Sequence, residues 1–376
     1  MTNEGYVLDE TVHDIIFKAE DTTTKEYTHE INVTNIAPYG QIDLFKTDKD
    51  TKEPLGGITF ELTAKEDIYS LDGRNTLLYK AGDKVSVDIS ENGLYVTNEL
   101  GEIHIGNLPL GKYELKEVQT LEGYVPNDTV YDIDLSYDHS DKIIYTKEIN
   151  IENEKTTTEI SKVSATDEKE LPGAQLSLFD KEGNLVETWI SGNEPHIIRG
   201  LLVNEEYTLH EDLAPIGYAT ASDVTFTVNA DGIPTKVTMK DEITKVDISK
   251  VDATNEKEIE GAKLTLTDKE TGEVIEQWTS EKEPHRIEGL EVGKIYILHE
   301  DLAPVGYEVA SDVEFTIADT GEVQKVVMKD QPKATVVKTG DDSQTGLYLA
   351  VMAMAGIATL VILRKSKKKD GDMNEQ

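Results

Sequence analysis

The chain contains no cysteine. That excludes disulfide cross-links and thiolate metal sites. Positive charge is scarce: 37 Lys and Arg face 74 Asp and Glu, a formal net charge of −37 over 376 residues. Nucleic acid is thereby excluded as a partner, because neutralising phosphates requires Lys and Arg gathered on one face. The acidic balance also repels anionic membranes and suits a solvated projection. Aromatic residues make up 6%. The chain lacks a P-loop, a G-x-S-x-G elbow and an H-E-x-x-H zinc motif, so a turnover enzyme is the reading with least support. The many acidic residues lack EF-hand spacing and the eight histidines are scattered; neither a metal nor a cofactor is expected. His210 and His299 point outward by strand phase, and His196 and His285 read as surface residues of Glu-Pro-His turns. Trp189 and Trp278 occupy equivalent positions and read as packing residues. The opening MTNEGYVLDE has neither the basic start nor the apolar core of a secretion signal. For an exported chain this implies a sequence that starts after the true N-terminus.

What is present is repetition. TEISKVSATDEKELPGAQLSL, from residue 158, matches VDISKVDATNEKEIEGAKLTL, from residue 246. YTLHEDLAPIGY (207–218) matches YILHEDLAPVGY (296–307), and VTMKDE (237–242) matches VVMKDQ (326–331). A divergent copy precedes them, with IDLFKTD (42–48), GKYELKEVQTLEGY (111–124) and INIEN (149–153) around a longer middle that reads as an extra hairpin near 64–98. The first residues match the tail of that copy: GYVLDETVHDI aligns with GYVPNDTVYDI, and EINVTN with EINIEN. The expected organisation is a half-domain at 1–38, domains at 39–155, 156–243 and 244–331, and a terminal segment at 332–376. Short alternating runs such as Val-Thr-Phe-Thr-Val, separated by Gly- and Pro-bearing turns, predict tandem all-β sandwiches. Helix is expected only at 347–363.

Residues two apart in a strand share a face. By that rule Lys46 is in phase with Ile42 and Leu44, Lys162 with Ile160, and Lys250 with Val246 and Ile248. Glu117, Glu211 and Glu300 follow Tyr-x-Leu and share its phase. Asn153, Asp241 and Asp330 share the phase of the apolar residues of their strands. Each unit thus aims a lysine, a glutamate and an Asp or Asn into its core. Unpaired buried charges cost several kcal/mol each. One reading is an ion-pair network that tolerates its desolvation. The other is that reaction consumes the charges. A buried lysine loses its proton more easily and becomes nucleophilic. It attacks the side-chain carbonyl of Asp or Asn while the glutamate shuttles protons. Water or ammonia leaves, and a neutral amide remains.

The I-x-K-x-D opening strand, the Y-x-L-x-E box before A-P-x-G-Y, and the closing V-x-M-x-D or I-x-x-N resemble the collagen-adhesin B-type, SpaA-like (prealbumin-like) domains of Gram-positive adhesins and pilins. The resemblance implies intramolecular isopeptide bonds: Lys46–Asn153 assisted by Glu117, Lys162–Asp241 by Glu211, and Lys250–Asp330 by Glu300. Lys49 lies near the first donor but has the opposite phase. Asn35 is the matching acceptor of the leading half-domain, whose lysine and glutamate are absent from the sequence.

The one long apolar run, Leu347 to Leu363, is followed at once by Arg364, Lys365, Lys367, Lys368 and Lys369. It is at the short end of a spanning helix, with its basic side cytoplasmic. Upstream lies Val336-Val337-Lys338-Thr339-Gly340. The arrangement resembles a sortase-processed sorting signal, with Val336-Val337 in place of Leu-Pro and the cut expected between Thr339 and Gly340. It implies a sortase, peptidoglycan or a pilin polymer as partners, and a Gram-positive cell surface as location. An uncut single-pass membrane protein is the alternative. Three readings of function follow: a wall-anchored structural stalk, a basal or minor pilin, and a host-ligand-binding module using the extra segment Lys65 to Thr97. The Tyr-Pro-Lys-type linkage motif usual in pilins is absent from this sequence.

Overall fold

The computed structural model describes residues 6–334 apart from 8, 9, 19–21, 24, 25, 27, 72, 73, 88, 89, 91 and 141. Among the described residues the regular structure is all strand, with no helix. The helix expected at 347–363 and the motif at 336–340 lie outside the described residues. Among the described residues no helix is long and apolar enough to cross a membrane.

The first nine strands are β1 (Tyr39–Asp48), β2 (Thr59–Ala64), β3 (Ile68–Tyr69), β4 (Leu77–Tyr79), β5 (Leu94–Val96), β6 (Glu102–Leu108), β7 (Lys112–Gln119), β8 (Val130–Asp134) and β9 (Ile144–Asn153). They form sheets ordered β6-β1-β9 and β5-β2-β7-β8, plus the small β3-β4 pair in the longer middle. Strand β1 alternates half-buried and buried residues along its whole length, the pattern of a strand with one face on a core. Ile42, Leu44, Phe60, Leu62, Ile103, Leu115 and further apolar residues of both larger sheets make one continuous core. Strand β1 pairs in parallel with β9, so the first and last strands lie side by side, with Lys46 opposite Ile151 and Asp48 opposite Asn153.

The next strands are β10 (Thr157–Ser164), β11 (Gln175–Asp180), β12 (Leu185–Ile190), β13 (His196–Arg199), β14 (Glu206–Leu213), β15 (Tyr218–Ala219), β16 (Val224–Thr227) and β17 (Thr235–Ile243). Their sheets are ordered β13-β10-β17-β15 and β12-β11-β14-β16. The last are β18 (Lys245–Asp252), β19 (Lys263–Asp268), β20 (Val274–Thr279), β21 (His285–Glu288), β22 (Ile295–Leu302), β23 (Val313–Thr316) and β24 (Val323–Asp330). These give sheets β21-β18-β24 and β20-β19-β22-β23 around a core that includes Ile248, Leu264, Leu266, Leu298 and Met328. Strands β18 and β24 are again parallel, with Lys250 opposite Met328 and Asp252 opposite Asp330. The described residues gather into two compact units. One holds those up to Glu159 with Ile197–Glu206 and Phe226–Lys236; the other holds Ile160–His196, Tyr207–Thr225 and the described residues from Val237 to 334.

Ahead of β1, the described residues carry one isolated bridge, Val7 with Ile36. Val12, Ile16 and Phe17 are more than half exposed there.

His196 and His285 correct the sequence reading. They open strands β13 and β21 and are half-buried. Each stacks flat on a tryptophan, Trp189 and Trp278, at ring-centroid separations of 4.4 and 4.5 Å. Stacking shelters one face of each ring from water, while His196 and His285 Nε2 lie 2.9 and 2.8 Å from Glu187 and Glu276.

Gly101 sits where the turn before β6 crosses the back of Lys46. Its φ is +72°, and an added Cβ would overlap the Lys46 carbonyl oxygen. Its own carbonyl accepts the Lys46 N–H at 2.7 Å. Gly101→Ala is expected to destabilise the 39–153 sandwich by about 2 kcal/mol or more, read as a lower urea midpoint; an unchanged midpoint contradicts this packing.

Candidate functional site

Three internal clusters stand out because each buries a lysine. Lys46, Lys162 and Lys250 are at most 2% exposed, although lysine is among the residues least often fully buried. Each sits third from the end of β1, β10 or β18 and points inward with its apolar neighbours. Glu117, Glu211 and Glu300, on β7, β14 and β22, are also buried, as are Asn153, Asp241 and Asp330 on β9, β17 and β24. The nine residues singled out in the sequence therefore fall into three triads.

In two triads the acceptor is an aspartate. Lys162 Nζ donates to Asp241 Oδ1 and lies 2.8 Å from Glu211 Oε1. Lys250 Nζ donates to Asp330 Oδ1 and lies 2.9 Å from Glu300 Oε1. In both, the glutamate contact is close enough for an ion pair but is not aligned as a hydrogen bond, since Oε1 has no hydrogen-bond partner. The other glutamate oxygen is pinned by backbone: Ala221 N–H donates to Glu211 Oε2 at 2.7 Å and Ala310 N–H to Glu300 Oε2 at 2.6 Å. Burial pushes the carboxyls of Asp241 and Asp330 above the usual range; each lysine pulls against that and each glutamate adds to it.

The first triad differs. Lys46 Nζ is 3.8 Å from Glu117 Oε2 and has no hydrogen-bond partner, and Asn153 Oδ1 likewise has none. Burial lowers the Lys46 amine to about 8, against the pull of Glu117. Burial also raises the Glu117 carboxyl, opposed by the Asn153 amide. Asn153 Nδ2 donates to Glu117 Oε1 at 2.7 Å and to Thr120 Oγ1 at 2.9 Å.

The register explains the convergence. In the parallel pairs the acceptor lies two residues beyond the lysine's partner on the neighbouring strand, so both side chains project from one face. The glutamate arrives from the facing sheet. Immediately after it, each of β7, β14 and β22 carries a register shift: Phe60 opposes Glu117 but Thr59 opposes Gln119, and the same skip follows Glu211 and Glu300. A bulge there re-aims the strand. Strand phase could not foresee it, because a bulge breaks the period on which phase depends.

Sequence reasoning also missed a second buried acid. Asp48 and Asp252 follow their lysines by two residues, are 3% and 6% exposed, and stand opposite the acceptors. Each accepts a tyrosine hydroxyl, from Tyr124 and Tyr307, at 2.8 Å. Asp48 Oδ1 also accepts from the backbone of Asp50 and Thr51, and Asp252 Oδ1 from Thr254. The signal was the D of I-x-K-x-D and the Y of G-Y, quoted as signatures but given no role. The middle unit has Ser164 at that position.

Other residues fall outside the triads. Lys49 is exposed and pairs with Glu154; Asn35 is exposed. His210 and His299 face outward onto Asp223 and Asp312, both at 2.7 Å. Among the described residues no His, Asp and Glu group is able to hold a metal.

Strands and triads together define a protein of tandem prealbumin-like sandwiches. The family profile described as SpaA, prealbumin-like fold domain, matches residues 40–151, 156–243 and 244–332. The chain belongs to that family. No curated protein sequence matches it. Among solved structures, the Bacillus anthracis TIE protein is 23% identical with a TM-score of 0.40, over 79% of this chain and 52% of that chain. This chain thus spans about half the length of that structure. BcpA, the major pilin subunit of Bacillus cereus, is 13% identical with a TM-score of 0.30, over 78% and 99% of the two chains. The full-length major pilin SpaD of Corynebacterium diphtheriae is 13% identical with a TM-score of 0.32, over 79% and 98%.

The hydrogen bonds to Asp252 have a consequence for acid stability. Its carboxyl is held at about 2, first by Thr254 and then by Tyr307, below the ~3.9 of a free aspartate. Stabilisation from a lowered carboxyl is present above about pH 4 and is lost as pH falls through about 2. Asp252→Asn should therefore be less stable than the parent at neutral pH, the gap closing between about pH 4 and pH 2 in urea titrations. A gap of constant size would contradict the assignment.

Proposed function

We propose that this protein is a cell-surface structural stalk, related to pilins, whose domains at 39–155, 156–243 and 244–331 are each closed by a self-formed Lys–Asn or Lys–Asp isopeptide bond. The observation that carries the reading is the threefold burial of an amine, a glutamate and a carboxyl or amide acceptor, each set within its own sandwich.

The chemistry follows from the surroundings. Desolvation disfavours charge on every member of a triad. A lysine lowered by burial to about 8, as Lys46 is, has a neutral nucleophilic fraction. An aspartate pushed upward, as Asp241 and Asp330 are, has a protonated fraction whose carbonyl carbon is electrophilic. The lysine Nζ bonds to Cγ, and the glutamate takes a proton from nitrogen and returns one to the leaving group. In the Asp triads the C–OH bond breaks and water leaves; in the Asn triad the C–N bond breaks and ammonia leaves. The fold holds the partners together, which supplies effective concentration instead of a cofactor. Each reaction happens once per bond, so the protein is not read as a turnover enzyme.

Lys162 and Asp241 are 79 residues apart in sequence, and Lys250 and Asp330 are 80 apart. By analogy with disulfides, closing loops of this size stabilises by about 4–5 kcal/mol through the unfolded chain. Such a bond takes the place of the missing disulfides. Anchoring by a sortase through Val336–Gly340, with the apolar run 347–363 holding the chain in the membrane beforehand, completes the proposal. That part rests on the sequence, as do peptidoglycan or a pilin polymer as the acceptor. A host ligand at the segment 65–97 is the weaker companion reading.

Glu211→Ala and Glu300→Ala test the chemistry site by site. Proteolytic peptide maps of each variant should lose only the branched peptide of its own triad and keep the other two. The altered domain should unfold at about 4–5 kcal/mol lower stability. Branched peptides that persist at the altered triad would remove the glutamate from the reaction.

A further inference from the structure

Thr120 has no counterpart in the other two triads. It lies three residues after Glu117; the same positions after Glu211 and Glu300 hold Ala214 and Ala303. The difference tracks the acceptor: threonine accompanies Asn153, and alanine accompanies Asp241 and Asp330. Geometry gives the reason. An asparagine amide has two N–H donors, and the glutamate satisfies one of them. The second N–H of Asn153 finds Thr120 Oγ1 at 2.9 Å, while the first finds Glu117 Oε1 at 2.7 Å. A carboxylic acid presents no such second donor, and a methyl group suffices. The two N–H groups of one amide thus tie Asn153 to both the acid and the hydroxyl.

We propose that Thr120 is a positioning and specificity-determining residue that adapts the first triad to an asparagine acceptor and an ammonia leaving group. The inference rests on the isopeptide reading above. With both N–H groups engaged, the amide is fixed with its nitrogen toward the acid and its Oδ1 unpaired. Lys46 Nζ bonds to Asn153 Cγ as the Cγ–Nδ2 bond breaks. Glu117 takes a proton from the lysine nitrogen and delivers one to Nδ2, which departs as ammonia. Rotation of the amide by half a turn would present oxygen to the glutamate and leave the nitrogen without its proton source. Thr120 opposes that rotation.

The test follows link formation in the full chain after a short pulse of cell-free synthesis, by quantifying the Lys46–Asn153 branched peptide. The two Asp-type branched peptides serve as internal standards. Thr120→Val keeps the branched shape without the hydroxyl, and Thr120→Ser keeps the hydroxyl. Loss of one hydrogen bond to the leaving group should slow the first link roughly tenfold in Thr120→Val, leave the standards unchanged, and be restored in Thr120→Ser. In an Asn153→Asp background, Thr120→Val should cost little, because that acceptor has no second N–H. Equal rates in parent and Thr120→Val overturn the proposal, as does an equal slowing in the Asn153 and Asn153→Asp backgrounds. A parent chain without any branched peptide overturns the isopeptide reading and this inference with it, and is told apart by the loss of all three links.

Discussion

The structure depends on keeping an amine, a glutamate and an Asp or Asn side chain together inside an apolar core. Each sandwich buries a lysine near the end of its first strand, on the face where an aliphatic residue would otherwise stand. Apolar residues surround it on both sheets. Burial there pushes the Lys46 amine down and the Asp241 and Asp330 carboxyls up. A buried ion pair is at best near neutral for stability against a well-packed apolar alternative, and a broken one costs about 3–5 kcal/mol. A neutral amide in the same place carries no such penalty. The same burial that makes the ions costly would favour the proposed condensation.

Around that constraint the fold supplies positioning. The parallel pairing of first and last strands sets lysine and acceptor diagonally across one ladder. The bulge after each glutamate turns the facing strand so that one carboxylate oxygen meets the lysine while, in two of the triads, the other is held by a backbone N–H from the loop beyond A-P-x-G-Y. Asp48 and Asp252 sit opposite the acceptors and stay ionised, because tyrosine and turn donors satisfy them. With the link in place, tension entering at Tyr39 travels along seven residues of β1 and crosses at Lys46 to Asn153. Strands β2 to β8 lie outside that path, so the ladder hydrogen bonds of the sandwich are not what resists pulling.

Much of this was legible in the sequence. Strand phase alone placed Lys46, Glu117, Asn153 and their counterparts inward, because a period of two leaves no ambiguity where flanking residues are strongly apolar. The all-β, repeated architecture followed from the same alternation. Three things were not legible. The bulges hide because they interrupt the period being counted. The tyrosine–aspartate bonds hide because Tyr124 and Asp48, far apart in the chain, meet only in the folded core. Glu-Pro-His reads as a turn, whereas His196 and His285 open strands and stack on Trp189 and Trp278, partners that strand phase does not reveal. Thr120 lay in plain view as the residue where alanine stands in the other copies, but its meaning required the amide geometry.

The central claim is that the three triads are spent in bond formation and are not standing ion pairs. The most direct measurement is the intact mass of the purified chain under denaturing conditions, compared with the mass of its sequence. The account predicts a deficit of two waters and one ammonia. An undiminished mass would mean that lysines 46, 162 and 250 remain free amines. The buried charges would then be a tolerated ion-pair network, and the covalent account of the stalk would be wrong.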